Sequence, residues 1–542
     1  MVKGGVPEAI DLTQAHEYDN VLHLLQALRD LPASDSDIMP ILRRYPSATG
    51  TYAKSQLLDA YHRLVQGGVL EEDTGIERRL RGRPVRTISG VAPVAVLTEP
   101  YPCPGTCIFC PEQRDAPKSY LNGEPGVLRA IQNDYDPYAQ TYTRIEALNA
   151  IGHSTDKIEL LILGGTWSVY PHDYREHFLR RCFDAMNGTE SATLDEALRC
   201  NEAASHRNVG LAIETRPDWI TPEEVLTLRQ QAVTKVQLGA QSCDDRILAL
   251  NRRGHTLDDV RRATQLLRLA GFKIVLHWMP NLYGAMPESD LADFARLWDD
   301  PALRPDEIKI YPTALLEGTA LYTLWEWGEY QPYPEEVLID LLVRCKTLIP
   351  PYSRINRLMR DIPAQYIVAG TTKSNLRQLV QAQMRDHGLA CQCIRCREVR
   401  GKKIAVGQAL ATDKLQLDVL SYLTDATQEH FLQYLTPSGH LAGFLRLSLP
   451  IAPRDILPIP EIREVAMVRE LHIYGPAQAL GERGGAAQHR GLGTQLLDIA
   501  ADIAHQAGFG GLAVIAAIGT RPYYRERGFT AGNLYPIRRL DV

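Results

Sequence analysis

The stretch VAPVAVLTEPYPCPGTCIFCPEQ, Val91 to Gln113, runs from an apolar segment into three thiols spaced C-x3-C-x2-C, at Cys103, Cys107 and Cys110. Its first eight residues read as a strand, and the cysteines follow without an intervening helix. The strand pattern recurs at KIELLILGG, VGLAIET, TKVQLGAQ, FKIVLHWMP and EIKIYPT. Between most of these lie amphipathic stretches such as DYREHFLRRCFDAMN, PEEVLTLRQQ, LDDVRRATQLLRLA and SDLADFARLW. Apolar strands alternating with helices specify βα units and a parallel sheet. Six units make an incomplete barrel or a doubly wound sheet, and in both the ligand sites sit at the carboxyl ends of the strands. The three thiols lie at the first of those ends.

The rest of the chain narrows what the thiols can be. At 542 residues it is too long for one core and predicts several domains. With 45% hydrophobic and 23% charged residues, the composition is that of a soluble globular protein. The opening MVKGGVPEAIDLTQAHEYDN has no apolar leader, and the longest apolar stretch, GGLAVIAAIG, is half the ~20 residues that span a bilayer. A cytoplasmic location without membrane contact is therefore expected. There thiols stay reduced, so ten cysteines, six of them in two tight clusters, point to metal or catalysis rather than disulfides. Three thiolates can hold three irons of a 4Fe–4S cluster and leave the fourth iron open to a small molecule. A structural zinc loop is the competing reading, though zinc wants a fourth protein ligand.

A net charge of −6 gives no global attraction for a polyanion, so any nucleic-acid contact must be local. Residues 1–89 read as a helical, basic unit: NVLHLLQALRDL and SQLLDAYHRLVQGG precede ERRLRGRPVR, which carries Arg78, Arg79, Arg81, Arg83 and Arg86, with Arg43, Arg44 and Lys54 upstream. Guanidinium forks suit phosphate oxygens, and a solvated linker is the alternative. The barrel is expected over 90–330, a linker over 331–400 and a last α/β domain over 401–542. The linker holds GLACQCIRCREV, whose Cys391, Cys393 and Cys396 read as metal ligands, zinc being expected, with His387 or Cys345 as the fourth.

A three-cysteine loop after the first strand of a six-unit βα barrel resembles the radical S-adenosylmethionine (radical SAM) superfamily. That resemblance implies a 4Fe–4S cluster and S-adenosylmethionine. It also implies that Gly164, Gly165 and Thr166 of LGGT meet the methionine amino group, and that Glu214 of ETRPD binds a ligand amine or ribose. In the last third, VAMVRELHIYG reads as a strand, QHRGLGT as a loop and QLLDIAADIAHQAG as a helix. A glycine-rich helix start offers N–H groups to phosphate. The pattern of Gln488, Gly491 and Gly493, with Leu492 and Thr494, resembles the pyrophosphate signature of the GCN5-related N-acetyltransferase (GNAT) fold. Its ligand is acetyl-CoA. By the same resemblance Leu471, His472, Ile473 and Tyr474 face the pantetheine amides, and Tyr523 or Tyr524 of TRPYYRERGF lies near the thioester as a general acid.

A radical SAM barrel joined to a GNAT domain, with RTISGVAPVAVLT before the cysteines and QCIRCREV between the domains, resembles the Elongator catalytic-subunit family. The family's activity, as the resemblance implies, starts a carboxymethyl group at C5 of the tRNA wobble uridine. Acetyl-CoA supplies the two carbons, a 5'-deoxyadenosyl radical abstracts hydrogen from the acetyl methyl, and thioester hydrolysis gives the carboxylate. The implied partners are the tRNA anticodon stem-loop and acetyl-CoA, with Elongator-like subunits or with none. The resemblance also marks Lys157 as an acetyl-CoA contact. Lys273 has the same position at its strand's entry, and Arg252, Arg253, His255, Arg354, Arg357 and Arg360 are expected along a tRNA track. A protein lysine acetyltransferase with a structural iron–sulfur barrel is the alternative reading.

Overall fold

The structure is a computed structural model that describes residues 9–32, 37–47, 50–80, 90–399, 414–474 and 491–540. Four helices, Ala15–Arg29, Met39–Arg44, Lys54–Gln66 and Thr74–Leu80, enclose a core of their own built on Val21, Leu24, Leu28, Leu57 and Tyr61. The first and third present leucines at helical spacing, so their apolar stripes meet. Lys54 and Arg79 are internal ties: Lys54 Nζ donates to the Arg79 carbonyl at 3.0 Å and Arg79 to that of Leu31 at 2.6 Å. Arg43, Arg44 and Arg78 are exposed, while Arg81, Arg83 and Arg86 lie outside the described residues.

The predicted strands form as β1 (Ala92–Leu97), β2 (Lys157–Leu163), β3 (Arg207–Thr215), β4 (Lys235–Gln241), β5 (Lys273–Trp278) and β6 (Glu307–Ile310). β7 (Leu315–Leu316) is followed by β8 (Arg354–Arg357) and β9 (Ile367–Ala369). Strands β1 to β6 pair in sequence order, all parallel, and β8 adds a seventh parallel strand beyond β6. The sheet is thus a partial barrel of six βα units with one strand more. That strand comes from the segment read as linker: RINR alternates too briefly to register as a strand by itself, and pairing with β6 completes it.

Side-chain alternation sorts each strand into two faces. Ala92, Val94 and Val96 of β1 and Ile158, Leu160 and Ile162 of β2 pack outward under the helices, all at most 2% exposed. The opposite parity, Pro93, Ala95 and Leu97 with Glu159, Leu161 and Leu163, lines the lumen.

The last domain is a second seven-stranded sheet, with β10 (Gln416–Leu423), β11 (Thr427–Leu435), β12 (Leu441–Pro450), β13 (Ala466–Ile473), β14 (Gly511–Val514), β15 (Thr530–Ala531) and β16 (Pro536–Arg539) in the order 10-11-12-13-14-16-15. Only β13 and β14 are parallel neighbours, joined through helix Leu492–Gln506, as the strand–loop–helix reading of the sequence requires. The two large units share one apolar core: Leu457, Met467, Ala513, Ile518 and Tyr535 belong to the same buried cluster as the barrel strands. The contact is made at the amino-terminal ends of the barrel strands. A Cβ on Gly519 would stand 2.7 Å from the carbonyl of Asn208, at the start of β3, and Tyr535 donates to the carbonyl of Ala270, ahead of β5, at 2.7 Å.

Candidate radical and acetyl-CoA site

The cysteine loop leaves β1 at its carboxyl end and is tied down on both sides. Thr98 Oγ1 lies 2.8 Å from the Tyr170 hydroxyl, which donates to the Glu99 carbonyl at 2.7 Å. Farther on, Ile108 N–H donates to the Asn251 carbonyl and accepts, at its own carbonyl, from Leu321 N–H. Next to this loop, LGGT turns with φ of 125° at Gly164 and 116° at Gly165. A Cβ on Gly164 would stand 2.1 Å from Thr98 Oγ1, so only glycine lets β2 end against β1 this closely. Thr166 Oγ1 lies 3.9 Å from Cys103 Sγ, which brings the LGGT turn and the triplet together.

The donor set can be tested against the groups it implies. A tetrahedral zinc with bonds of about 2.3 Å sets sulfurs about 3.8 Å apart. The sulfurs of Cys391, Cys393 and Cys396 lie within 4.8 Å of one another, the only such group of three metal-ligating side chains among the described residues, and they fit one ion. Hydrogen bonds from Cys391 and Cys393 push the Cys396 thiol well below its ordinary value, and Nζ of the buried Lys346 lies 3.6 Å from its sulfur. His387 and Cys345 stand outside this group; His387 is exposed at the end of helix Leu376–Asp386. The sulfurs of Cys103, Cys107 and Cys110 are not gathered so tightly, which suits a multi-iron cluster in which each sulfur takes its own iron. Donors converge on them: Arg253 Nη1 on Cys107 Sγ at 3.0 Å and Gly105 N–H on Cys103 Sγ at 3.4 Å. Burial, with the neighbouring Cys107 sulfur, pushes the Cys110 thiol up to about 12, the behaviour of a thiol that ionises only when a cation takes it.

Most of the residues expected along a tRNA track have partners within the fold. Arg253 and His255 are buried behind the triplet at 6% and 5% exposure, whereas Arg252 and Arg357 are exposed. Arg354 pairs with Glu398 at 2.6 Å and donates to the Tyr474 hydroxyl; Arg360 pairs with Glu124 at 2.8 Å and lies over the Tyr120 ring. Arg357 pairs with Asp361 at 3.1 Å.

A cavity of about 1130 Å³ runs through the barrel lumen into the second domain. Its wall at the carboxyl ends includes Leu163, Glu214, Lys309 and Tyr311; at the other end are Leu471, His472, Tyr474, Ala516 and Tyr524. Seven-residue β2 makes the lumen about 20 Å long at ~3.3 Å per residue. Glu214 is not a free carboxylate: Lys309 Nζ lies at 3.0 Å, the Tyr120 hydroxyl donates at 2.9 Å and His277 Nε2 lies at 3.8 Å. Burial alone would raise this carboxyl, but Lys309, His277 and Tyr120 together outweigh it and the Glu214 pKa falls to about 2. Burial, then the Lys309 charge, lowers His277 to about 3, so its imidazole is neutral near pH 7.

Below pH 4.5, the ordinary value for this side chain, the unfolded state takes up a proton that Glu214 in the fold refuses. Stability from this carboxylate is therefore full above pH 4.5 and is lost as pH falls toward 2. Glu214→Gln is expected to unfold more easily at pH 7. It should also lose less stability than the parent between pH 4.5 and 2.5, by at most about 1.4 kcal/mol per pH unit, as read in urea titrations at each pH.

In the second domain Gly491 adopts φ 79° and caps helix Leu492–Gln506, with Gly493 and Thr494 in its first turn; Gln488 lies outside the described residues. A Cβ on Gly493 would meet the Tyr523 hydroxyl at 2.5 Å, and Arg527 lies 3.6 Å over the Tyr523 ring while donating to Thr494 Oγ1. Tyr523 thus leans on the glycine-rich turn, and Tyr524 is the one of the two that lines the cavity. Leu471, His472 and Tyr474 line it as well; Ile473 and Lys157 are not among the lining residues. Burial lowers the His472 imidazole to about 4.

Sequence reading passed over Lys309, Tyr120 and His277. The signal for Lys309 was present: EIKIY places Glu307, Lys309 and Tyr311 at alternate positions of a strand whose other face is isoleucine, which marks a polar lumen.

A partial parallel barrel with a three-cysteine loop at the first strand end, carrying a second, mixed-sheet α/β domain, defines a radical SAM protein. The Radical SAM superfamily model matches residues 102–297 and the Radical_SAM C-terminal domain model matches 305–386, which supports a 4Fe–4S cluster and S-adenosylmethionine as its groups. A "tRNA uridine(34) acetyltransferase" of Dehalococcoides mccartyi is 43% identical over 84% of this chain and 99% of its own. Human "Elongator complex protein 3" is 36% identical over 85% of this chain and 86% of its own. A solved structure of Elp3 from the archaeon Methanocaldococcus infernus superimposes with a TM-score of 0.74 at 38% identity, covering 84% of this chain and all of that one. The chain belongs to the family of the tRNA uridine(34) acetyltransferases and Elongator complex protein 3. No helix among the described residues is long and apolar enough to cross a membrane.

Proposed function

We propose that the protein modifies the wobble uridine of tRNA, joining the acetyl methyl carbon of acetyl-CoA to C5 of the base with loss of one hydrogen from each carbon, so that thioester hydrolysis frees CoA and leaves a 5-carboxymethyl group on the uracil. The observation that carries this reading is that one cavity has in its wall both the carboxyl-end residues Glu214, Lys309 and Tyr311 and the second-domain residues Leu471, His472, Tyr474 and Tyr524. Two independent enzymes would need two pockets, whereas a shared intermediate needs one enclosed path. The relatives' names, with tRNA and uridine(34), agree with it.

When bound, the cluster and S-adenosylmethionine supply the carbon-centred radical that a C–H bond as strong as an acetyl methyl's requires. Cys103, Cys107 and Cys110 would hold the cluster, and the Gly164–Gly165 turn with Thr166 the methionine end. Glu214, held ionised by Lys309, presents a fixed charge to a ligand amine or ribose. In the second domain the N–H groups at Gly491 to Thr494 receive the pyrophosphate, and backbone groups of Leu471 to Tyr474 align the pantetheine arm. Tyr524, its hydroxyl kept protonated by burial, is placed to donate a proton to the departing thiolate. The domain limits 1–89 and 401–542, a zinc ion at Cys391, Cys393 and Cys396, and tRNA contacts from the exposed arginines of the amino-terminal helices belong to the same proposal. So does action either alone or with Elongator-like subunits.

The test is anaerobic incubation of the reconstituted protein with acetyl-CoA, S-adenosylmethionine and tRNA, followed by nucleoside mass spectrometry. Carboxymethylated uridine that requires both cosubstrates supports the proposal. Acetylation of peptide lysines with unmodified tRNA would replace it with the lysine acetyltransferase reading.

A further inference from the structure

Arg253 occupies an unusual position for a charged side chain. It is 6% exposed, Nη2 donates to the Gly239 carbonyl in β4 at 2.6 Å, Nη1 donates to Cys107 Sγ at 3.0 Å, and Nε has no partner. No carboxylate pairs with it among the described residues. Among the described residues the Cys107 sulfur is the only side-chain atom within hydrogen-bond distance of this guanidinium.

The position is also built. The Arg253 carbonyl accepts from Arg216 Nη2 at 2.8 Å, and Arg216 is fixed in turn by Asp218 at 3.0 Å. Two residues earlier, the Asn251 carbonyl takes the Ile108 N–H, so the segment grips the cysteine loop at a second point. Asn251 is itself held by Nδ2 bonds to the carbonyls of Ile247 and Tyr283. The other two sulfurs are treated differently: Cys103 accepts a neutral N–H from Gly105, and Cys110 contacts only the Pro111 carbonyl, at 3.8 Å. Among the described residues no side-chain cation lies within hydrogen-bond distance of either.

From this we infer that Arg253 is a positioning residue that sets the reduction potential of the 4Fe–4S cluster through a charge-assisted hydrogen bond to its Cys107 ligand. The inference rests on the radical SAM reading and not on the choice of tRNA as substrate. Reduction brings one electron from an external low-potential one-electron donor onto the cluster, with no bond made or broken in that step. The added negative charge is spread over iron and sulfur, so a cationic donor 3.0 Å from one ligand sulfur favours the reduced state. The buried setting keeps that attraction from being screened.

Redox titration under argon, followed by electron paramagnetic resonance, tests it on the full chain after iron and sulfide analysis. Arg253→Gln keeps a neutral donor, Arg253→Lys keeps the charge without the fork, and Arg252→Gln removes the exposed neighbouring cation as a control. The expected order of midpoint potential is wild type, then Lys, then Gln as the most negative, with Arg252→Gln unmoved. Unchanged midpoints in both Arg253 variants would overturn the inference, as would an Arg252→Gln shift equal to that of Arg253→Gln, which would make the effect a general field. If the Gln variant fails to retain iron, the Lys variant decides alone: a wild-type midpoint there counts against the inference, a negative shift for it. A wild-type protein that holds no four-iron cluster would instead fail the radical SAM reading itself.

Discussion

Alanine at Cys103, Cys107 and Cys110 together is expected to reduce tRNA carboxymethylation to the uncatalysed level, a loss of about 10⁶-fold or more. The size follows from the chemistry. An acetyl methyl has no route to C5 of uracil by acid–base steps available to Glu214 or Tyr524, so removing the radical source removes the reaction rather than slowing it. The fold should survive. The three sulfurs are half-buried on a loop held by Thr98, Tyr170 and Asn251, and none belongs to the barrel's apolar core. Circular dichroism and the thermal midpoint of the metal-free protein should therefore match the parent within a few degrees. Acetyl-CoA binding, read by calorimetry, should also be retained, because its proposed contacts are at the far end of the cavity. Loss of modification together with loss of acetyl-CoA binding would mean that the loop supports the lumen structurally, and the division of labour proposed for the two ends would fall.

Much of this arrangement was legible from residue spacing alone. VAPVAVL and KIELLIL place apolar residues on both faces, as a strand covered by helices on one side and closed around a lumen on the other must. The thiols and LGGT fall at strand ends because there the chain turns and backbone N–H groups become free. What stayed hidden depends on contacts between residues far apart in the chain. NRRGH looks the same whether its arginines face phosphate or sulfur; only the packing of residues 251–253 against the cysteine loop turned Arg253 inward. The ion pairs that join the two large units link residues 163 positions apart, and a lone aspartate before EIKIY gives no hint of that. β10 to β12 likewise became strands by pairing in a sheet whose order the sequence did not announce.

Those ion pairs carry the second large expectation: Asp306→Ala should destabilise the protein by about 3–5 kcal/mol, the cost of leaving buried partners without their counter-charge. Asp306 is 0% exposed just ahead of β6. It pairs with Arg469 on β13 through both carboxylate oxygens, takes Arg446 of β12 at 3.4 Å and accepts the Ile274 N–H at 2.9 Å. Arg469 continues to Glu429 at 3.1 Å and to the Phe272 carbonyl; Arg446 continues to Glu470, which meets Lys273 at the head of β5. Removing Asp306 leaves Arg469 with Glu429 and Arg446 with Glu470 as their remaining carboxylates, in a core, Phe431 and Phe444 among it, that cannot solvate the uncompensated charge. Because the network spans the two large units, its loss should lower the first transition in calorimetry and make the barrel and the last domain unfold separately. Asp306→Leu combined with Arg469→Leu should recover part of the loss, since a matched apolar pair leaves less charge unsatisfied. Modification should fall more than stability predicts, because the lumen reaches the last domain between Lys273, Glu307, Arg446 and Glu470 and a shift there opens it to water. A variant that keeps a single transition and wild-type activity would mean that the apolar contacts of Met467, Ile518 and Tyr535 hold the two units together without the ions.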